Sequence, residues 1–217
     1  MAEELVCTQE EESGAVGAER VREIHHQVKN NLQLVNSLLR IQSRGVADPQ
    51  TRAIFKRGEE RIQSMALVYD TLYRGGPCSK VPVHEYLVEM VQQLVKGARN
   101  QNGLPHVSCE LDPLYISSKP AMHLGLLINE VVSHRIRQVS SEGKPLSLLI
   151  RLFQRDGVIE FDLYDDGPAL ELSVGVTAVE YQILEALTRQ LEGVVCYPTS
   201  SHFLMRITLP EEVLFRT

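Results

Sequence analysis

The sequence predicts an α+β protein in which a helical hairpin is followed by a sandwich of helices stacked on one face of a mixed sheet. Apolar residues recur at helical spacing through residues 19–44, and again on a row of Phe55, Ile62 and Tyr69 flanked by Met65 and Leu72. Gly75, Gly76 and Pro77 then punctuate the chain. Beyond them helical and alternating patterns take turns, as a layered domain requires. The 217 residues suffice for one large domain or two small ones. The expected division is an arm over residues 1–18, a hairpin over 19–76 and a sandwich over 77–217.

The opening MAEELVCTQEEESGAVG is acidic and rich in small residues. It has neither the basic nor the apolar region of a signal peptide, so a flexible arm is expected. The first helix should end near Arg44, where Gly45, Asp48 and Pro49 mark a turn. Val21, Ile24, Val28, Val35 and Leu38 form its apolar stripe, widened by Leu32 and Leu39. Two such helices in one hairpin leave a stripe uncovered, and pairing two chains into an antiparallel four-helix bundle covers it.

In the second half HEYLVEMVQQLVKGA reads as a helix, HVSCEL as a strand, and SKPAMHLGLLINEVVSHRIRQV as a long helix opening at Ser118. LSLLIRLFQR and GVIEFDLYDD are strands joined by an Asp156-Gly157 turn. AVEYQILEALTRQLEG is a helix closed by Gly193, and GVVCYP and SHFLMRITLP supply the last strands.

Net charge is −6 with Lys and Arg scattered, which argues against a nucleic-acid partner. Cys7, Cys78, Cys109 and Cys196 form no C-x-x-C pair, so a reduced, cytoplasmic chain without structural zinc is expected. No apolar run approaches the roughly 20 residues that span a bilayer, so no membrane insertion is expected. His84, His106, His123 and His202 share no metal-ligand spacing, and no metal site is predicted. Tyr69, Tyr73, Tyr86 and Tyr115 read as packing residues. Glu160, Asp162, Asp165 and Asp166 are acidic neighbours whose alternation on a strand sends them to opposite faces.

The residue with chemical potential is His26. At about 100° per residue it lies roughly 150° from the centre of the apolar stripe, on a row with Gln33 and Arg40. His25 shares a row with Leu32 and Leu39 and borders the packed face. Lys29 and Asn30 stand one turn beyond His26. A solvated imidazole, with an ordinary pKa of about 6.5, is mostly neutral at neutral pH and can attack phosphorus without a strong base. On geometry alone an ordinary surface histidine fits equally well.

HHQVKNNLQLVNSLLRIQSR resembles the phosphoacceptor box of a subfamily of sensor histidine kinases related to the HWE kinases, H-R-V-K-N-N-L-Q followed by S-L-L. The resemblance puts the phosphorylated position on His26, with Gln27 in place of the usual arginine. RIQSMALVYDTLY is similar to the family's second dimerisation helix. INEVVSHRIRQV, DLYDDGPAL, and the tail from ALTRQLEG to SSHFLMRITLP are similar to the boxes of its ATP-binding domain. What the resemblance implies is a dimeric four-helix bundle carrying the histidine, then a histidine-kinase-type ATPase-like sandwich.

The nucleotide boxes depart from that pattern. The family's magnesium-binding asparagine falls on His134, a poor exchange because Mg²⁺ prefers oxygen ligands in octahedral geometry. Asn129 and Glu130 of that box are retained, whereas Arg135 and Arg137 replace small or lysine-like residues and crowd the helix face. Asp165 and Gly167 take the positions of the adenine-reading aspartate and the first glycine, but Ala169 replaces the next glycine, where backbone must approach a ligand closely. The lid is short, with only Gly167 and Gly175 to give it freedom, and Glu180 falls where a glycine opens the following helix. A carboxylate there repels a triphosphate.

These departures predict a histidine phosphotransferase. His26 exchanges phosphoryl groups with response-regulator receiver domains, without ATP or another cofactor. Lys29 steadies the added charge, Asn30 positions water, and Glu23 holds the other ring nitrogen. Two alternatives stand beside it: an ATP- and magnesium-dependent histidine kinase of the same family, and a non-catalytic scaffold that keeps full activity after His26→Ala.

Overall fold

The chain divides into two units, Met1–Cys78 and Ser79–Thr217. The structure, a computed structural model, describes residues 2–73, 80–97, 105–141, 146–166, 178–197 and 203–215, with side chains of 2–22, 97, 139–141 and 178–181 left undescribed. Gly75, Gly76, Pro77 and the lid therefore lie outside the described residues.

The first unit is a hairpin of α1 (Ala2–Arg44) and α2 (Pro49–Tyr73). α1 begins at Ala2 and runs through the stretch where an arm is expected. Alanine, glutamate and leucine favour helix through that stretch, and no proline interrupts it. The turn follows from its residues. The Gly45 N–H donates to the Gln42 carbonyl at 3.2 Å. Asp48 caps α2 by accepting from the Thr51 N–H at 2.7 Å and the Thr51 hydroxyl at 2.6 Å. These bonds hold the Asp48 carboxyl below the usual carboxylate range. Pro49 enters at the first helical position, where a missing N–H costs nothing.

Packing within the hairpin uses one edge of the expected stripe. The face of α1 turned to α2 carries His25, Lys29, Leu39 and Ser43. A side chain at Gly58 would meet Leu39, and the Ser43 hydroxyl donates to Glu59 at 3.0 Å. Ile24, Val35 and Leu38 of the predicted stripe are instead exposed, as are Leu34 and Ile41, the last by 63%. α1 has two apolar rows, and α2 covers the row of His25, Leu32 and Leu39.

In the second unit, strands β1 (Lys80–Pro82) and β3 (Tyr115–Ser117) form a small antiparallel sheet that the sequence reading missed. The main sheet comprises β2 (His106–Leu111), β4 (Ser147–Arg155), β5 (Val158–Asp165), β6 (Val194–Cys196) and β7 (Phe203–Pro210). Its order is β2-β4-β5-β7-β6, with β2 and β4 parallel and the other pairs antiparallel. The helices are α3 (Val83–Gly97), α4 (Ser118–Ser141), α5 (Ala178–Gln190) and the short α6 (Glu211–Phe215).

One sheet face is buried through Leu148, Ile150 and Leu152 of β4, Ile159, Phe161 and Leu163 of β5, and Ile207 and Leu209 of β7. The helices add Leu87, Met90, Leu124 and Ile128 to this core. Asp156 and Gly157 both take positive φ, 51° and 78°, which makes the predicted β4–β5 turn fit the strands' twist. Gly193 follows α5 for a different reason than expected. The left-handed residue is Glu192, at φ 50°. The Gly193 N–H closes the helix on the Thr188 carbonyl at 3.0 Å, as in a Schellman motif. Gly193 itself answers to packing, since a Cβ there would come within 2.9 Å of the Thr208 carbonyl oxygen.

Candidate functional site

Two places bring predicted residues together, one in each unit. On the hairpin, His26 is exposed on α1, with exposed Glu23 three residues before it and exposed Asn30 four after. His25 turns the other way. Its ring stacks on Tyr73 with centroids 3.7 Å apart, lies 5.4 Å from the Tyr69 ring, and shares a hydrogen bond between Nδ1 and the Tyr69 hydroxyl. Burial, and then the charge of His26, lower the His25 pKa. Burial, and then Tyr73, raise that of Tyr69. The two neighbouring imidazoles are thereby divided in role: one is locked into the helix interface and the other is offered to solvent.

Lys29 does not stand free beside His26. Its Nζ lies 2.5 Å from Asp70 Oδ1 on α2, with both side chains roughly 40% exposed. Tyr69 and Tyr73 pack the helix interface as the sequence reading expected, and with Asp70 they border this candidate site. They sit at helical spacing on the face opposite His25 and Lys29.

In the second unit α4 presents Asn129, fully buried, with half-buried Glu130 and His134 one turn apart. The Asn129 side-chain oxygen has no hydrogen-bond partner among the described residues. Arg135 does not merely crowd this face. Its guanidinium reaches β5 and grips Asp165 with Nε on one carboxylate oxygen and Nη2 on the other, the latter at 2.9 Å. Nη1 donates to the Gln138 side chain at 2.9 Å. The pair is dry, at 1% exposure for the Arg135 side chain and 0% for that of Asp165. Two parallel charge-assisted bonds are the geometry in which a buried arginine and carboxylate are mutually satisfied.

The other acidic residues of β5 lie apart from Asp165, as alternation requires. Asp162 accepts two bonds from Arg206 of β7, each 2.7 Å, and Glu160 lies 3.3 Å from the same guanidinium. These partners hold Arg206 above the ordinary arginine range. Asp166 Oδ1 accepts the Ser147 N–H at 2.8 Å. Among the described residues no three His, Cys, Asp or Glu side chains gather into a metal-binding group. No described helix is long and apolar enough to cross a membrane. Gly167, Ala169 and Gly175 fall outside the described residues, as does the side chain of Glu180.

With this geometry in place, comparison with known proteins shows what the chain resembles. Residues 23–98 match the family HisKA_2, described as histidine kinase. The chain is 29% identical over 154 residues to the sensor histidine kinase PdtaS of Mycobacterium tuberculosis (strain CDC 1551 / Oshkosh), covering 69% of this chain and 30% of that protein. It is 48% identical over 52 residues to PdtaS of Mycolicibacterium smegmatis, covering 24% of this chain and 10% of that protein. The chain thus spans less than a third of the length of the curated relatives it matches. The histidine kinase domain of the blue-light activated histidine kinase from Erythrobacter litoralis EL346 superposes with a TM-score of 0.61 at 19% identity, covering 93% of this chain and 98% of that one. That likeness is one of fold. The family match and the curated relatives show that the chain is similar to histidine kinases.

Proposed function

We propose that the chain is a histidine phosphotransferase that carries a phosphoryl group on His26 between response-regulator receiver domains and uses no nucleotide. The neutral imidazole attacks the phosphorus of a receiver's aspartyl phosphate. An N–P bond forms, the acyl P–O bond breaks, and the carboxylate leaves with the electron pair. The reverse step hands the group to a second receiver. No ATP is required, because the mixed anhydride supplies the driving force. Glu23 and Asn30, exposed about one turn to either side of His26, lie on the solvent side where a receiver docks and where water is admitted for dephosphorylation.

The observation that carries the reading is the buried Arg135–Asp165 pair. The Asp165 side chain, fully buried and gripped on both oxygens by a guanidinium, offers no exposed oxygen to a base's amino hydrogens. The imidazole of His134, set among α4 positions that would serve a hard cation, is the wrong donor for magnesium. The residues present therefore do not fit a magnesium nucleotide. The exposed row of Ile24, Val35, Leu38 and Ile41 supports a homodimer in which two hairpins form a four-helix bundle. Receiver domains as partners and a cytoplasmic location belong to the same proposal.

A receiver phosphorylated on its aspartate labels the wild-type chain and His25→Ala, and leaves His26→Ala unlabelled. Loss of label in His25→Ala with retention in His26→Ala contradicts the assignment. Calorimetry with ATP and Mg²⁺ gives no binding; micromolar affinity would return the chain to the ATP-dependent kinases. Full activity of His26→Ala in cells would favour a scaffold.

A further inference from the structure

Three contacts tie α1 to α2 beside His26: the His25 stack on Tyr73, the His25 bond to Tyr69, and the Lys29–Asp70 ion pair. All three α2 partners fall within one turn. The aromatic contacts carry no charge that a phosphoryl group would compete for, but the ion pair does. Lys29 is three residues from His26, the spacing at which helical side chains meet. Its ammonium sits on a flexible stem and is half exposed, so it can turn about its own helix without unfolding anything.

We propose that Asp70 is a positioning residue that holds Lys29 off His26 in the unphosphorylated chain and yields it when His26 is phosphorylated. This rests on the phosphoacceptor reading of His26. A phosphoryl group carries close to two negative charges at neutral pH, and Asp70 carries one. At comparable distance the larger charge wins the ammonium. Lys29 then stabilises the phosphorylated form, and the electrostatic tie between α1 and α2 opens at the same moment. The pair is the element by which the hairpin registers that His26 is loaded. Asp70 thereby sets how long the phosphoryl group stays, because every phosphohistidine must win Lys29 from it. A cation beside the group disfavours protonation of the ring and so slows loss of phosphate.

The test loads the full chain with phosphoramidate, a small-molecule phosphoryl donor, and follows the His26 phosphate by phosphorus NMR, with His26→Ala as the blank. Asp70→Asn, which frees Lys29, lengthens the phosphohistidine lifetime about two- to fivefold. Lys29→Met shortens it, Asp70→Glu keeps the wild-type lifetime, and Asp70→Asn adds little in the Lys29→Met background. A lifetime in Asp70→Asn equal to or shorter than wild type overturns the proposal. So does the same lengthening with Lys29 already removed, which would mean that Asp70 acts by repulsion alone, and so does a His26 that phosphoramidate fails to load. Because the donor is not a receiver, a failed relay with the predicted lifetimes condemns the relay and leaves Asp70 its role.

Discussion

Arg135 is the side chain on which the second unit's chemistry turns. It lies on the same row of α4 as Leu124, Ile128 and Val131, all buried, so the helix carries its charge into the core. A buried guanidinium needs a buried anion, and Asp165 supplies it. Arg135→Ala strands that carboxylate, and equilibrium unfolding of the full chain should show a loss of about 3–5 kcal/mol. Replacing both members by apolar residues of similar size should restore most of it, because the loss comes from the stranded charge. The sequence made part of this legible. Helical angles separated exposed His26 from half-buried His25, and the acidic residues of β5 were sorted by alternation. Arg135 was read as crowding because its partner is 30 residues away, and only the pairing of α4 with β5 brings the two together. The Lys29 pairing was not legible for the same reason, since Asp70 comes from the opposite helix.

At the scale of the element, the hairpin divides its apolar surface between two uses. The row of His25, Leu32 and Leu39 serves α2, and the row through Ile24, Val35, Leu38 and Ile41 is left exposed. Which row α2 would take was not legible, because both have heptad spacing and a periodicity carries no address. Leu38→Asp places a charge in the exposed row, and analytical ultracentrifugation should show a dimeric wild type and a monomeric variant. The interior row makes a prediction about pH. An unfolded histidine takes up its proton near pH 6.5, whereas folded His25 does so lower because it is buried beside Tyr69 and Tyr73. As pH falls through that window the unfolded chain binds more protons than the folded one, so stability declines, and it levels off below the folded pKa. His25→Phe keeps the stack and removes the titration. Thermal melts from about pH 7.5 to about pH 5 should fall less steeply for that variant than for wild type.

At the scale of the whole molecule, each unit answers a different question. The first puts an exposed imidazole on a helix with the Lys29–Asp70 ion pair one turn away. The second has the fold of the histidine kinase domain it superposes on, with an internal arginine on the carboxylate that the resemblance assigns to adenine. Order and class of these elements were readable from periodicity and turn residues. The small sheet of β1 and β3 was not, because three-residue strands leave no periodic trace. The central claim is that phosphate reaches His26 from a receiver and not from ATP. It is tested most directly by offering the wild-type chain radiolabelled ATP with Mg²⁺ in one tube and a radiolabelled phospho-receiver in another. Acid-labile label on the chain from the receiver alone is the predicted result, and label acquired from ATP would contradict it.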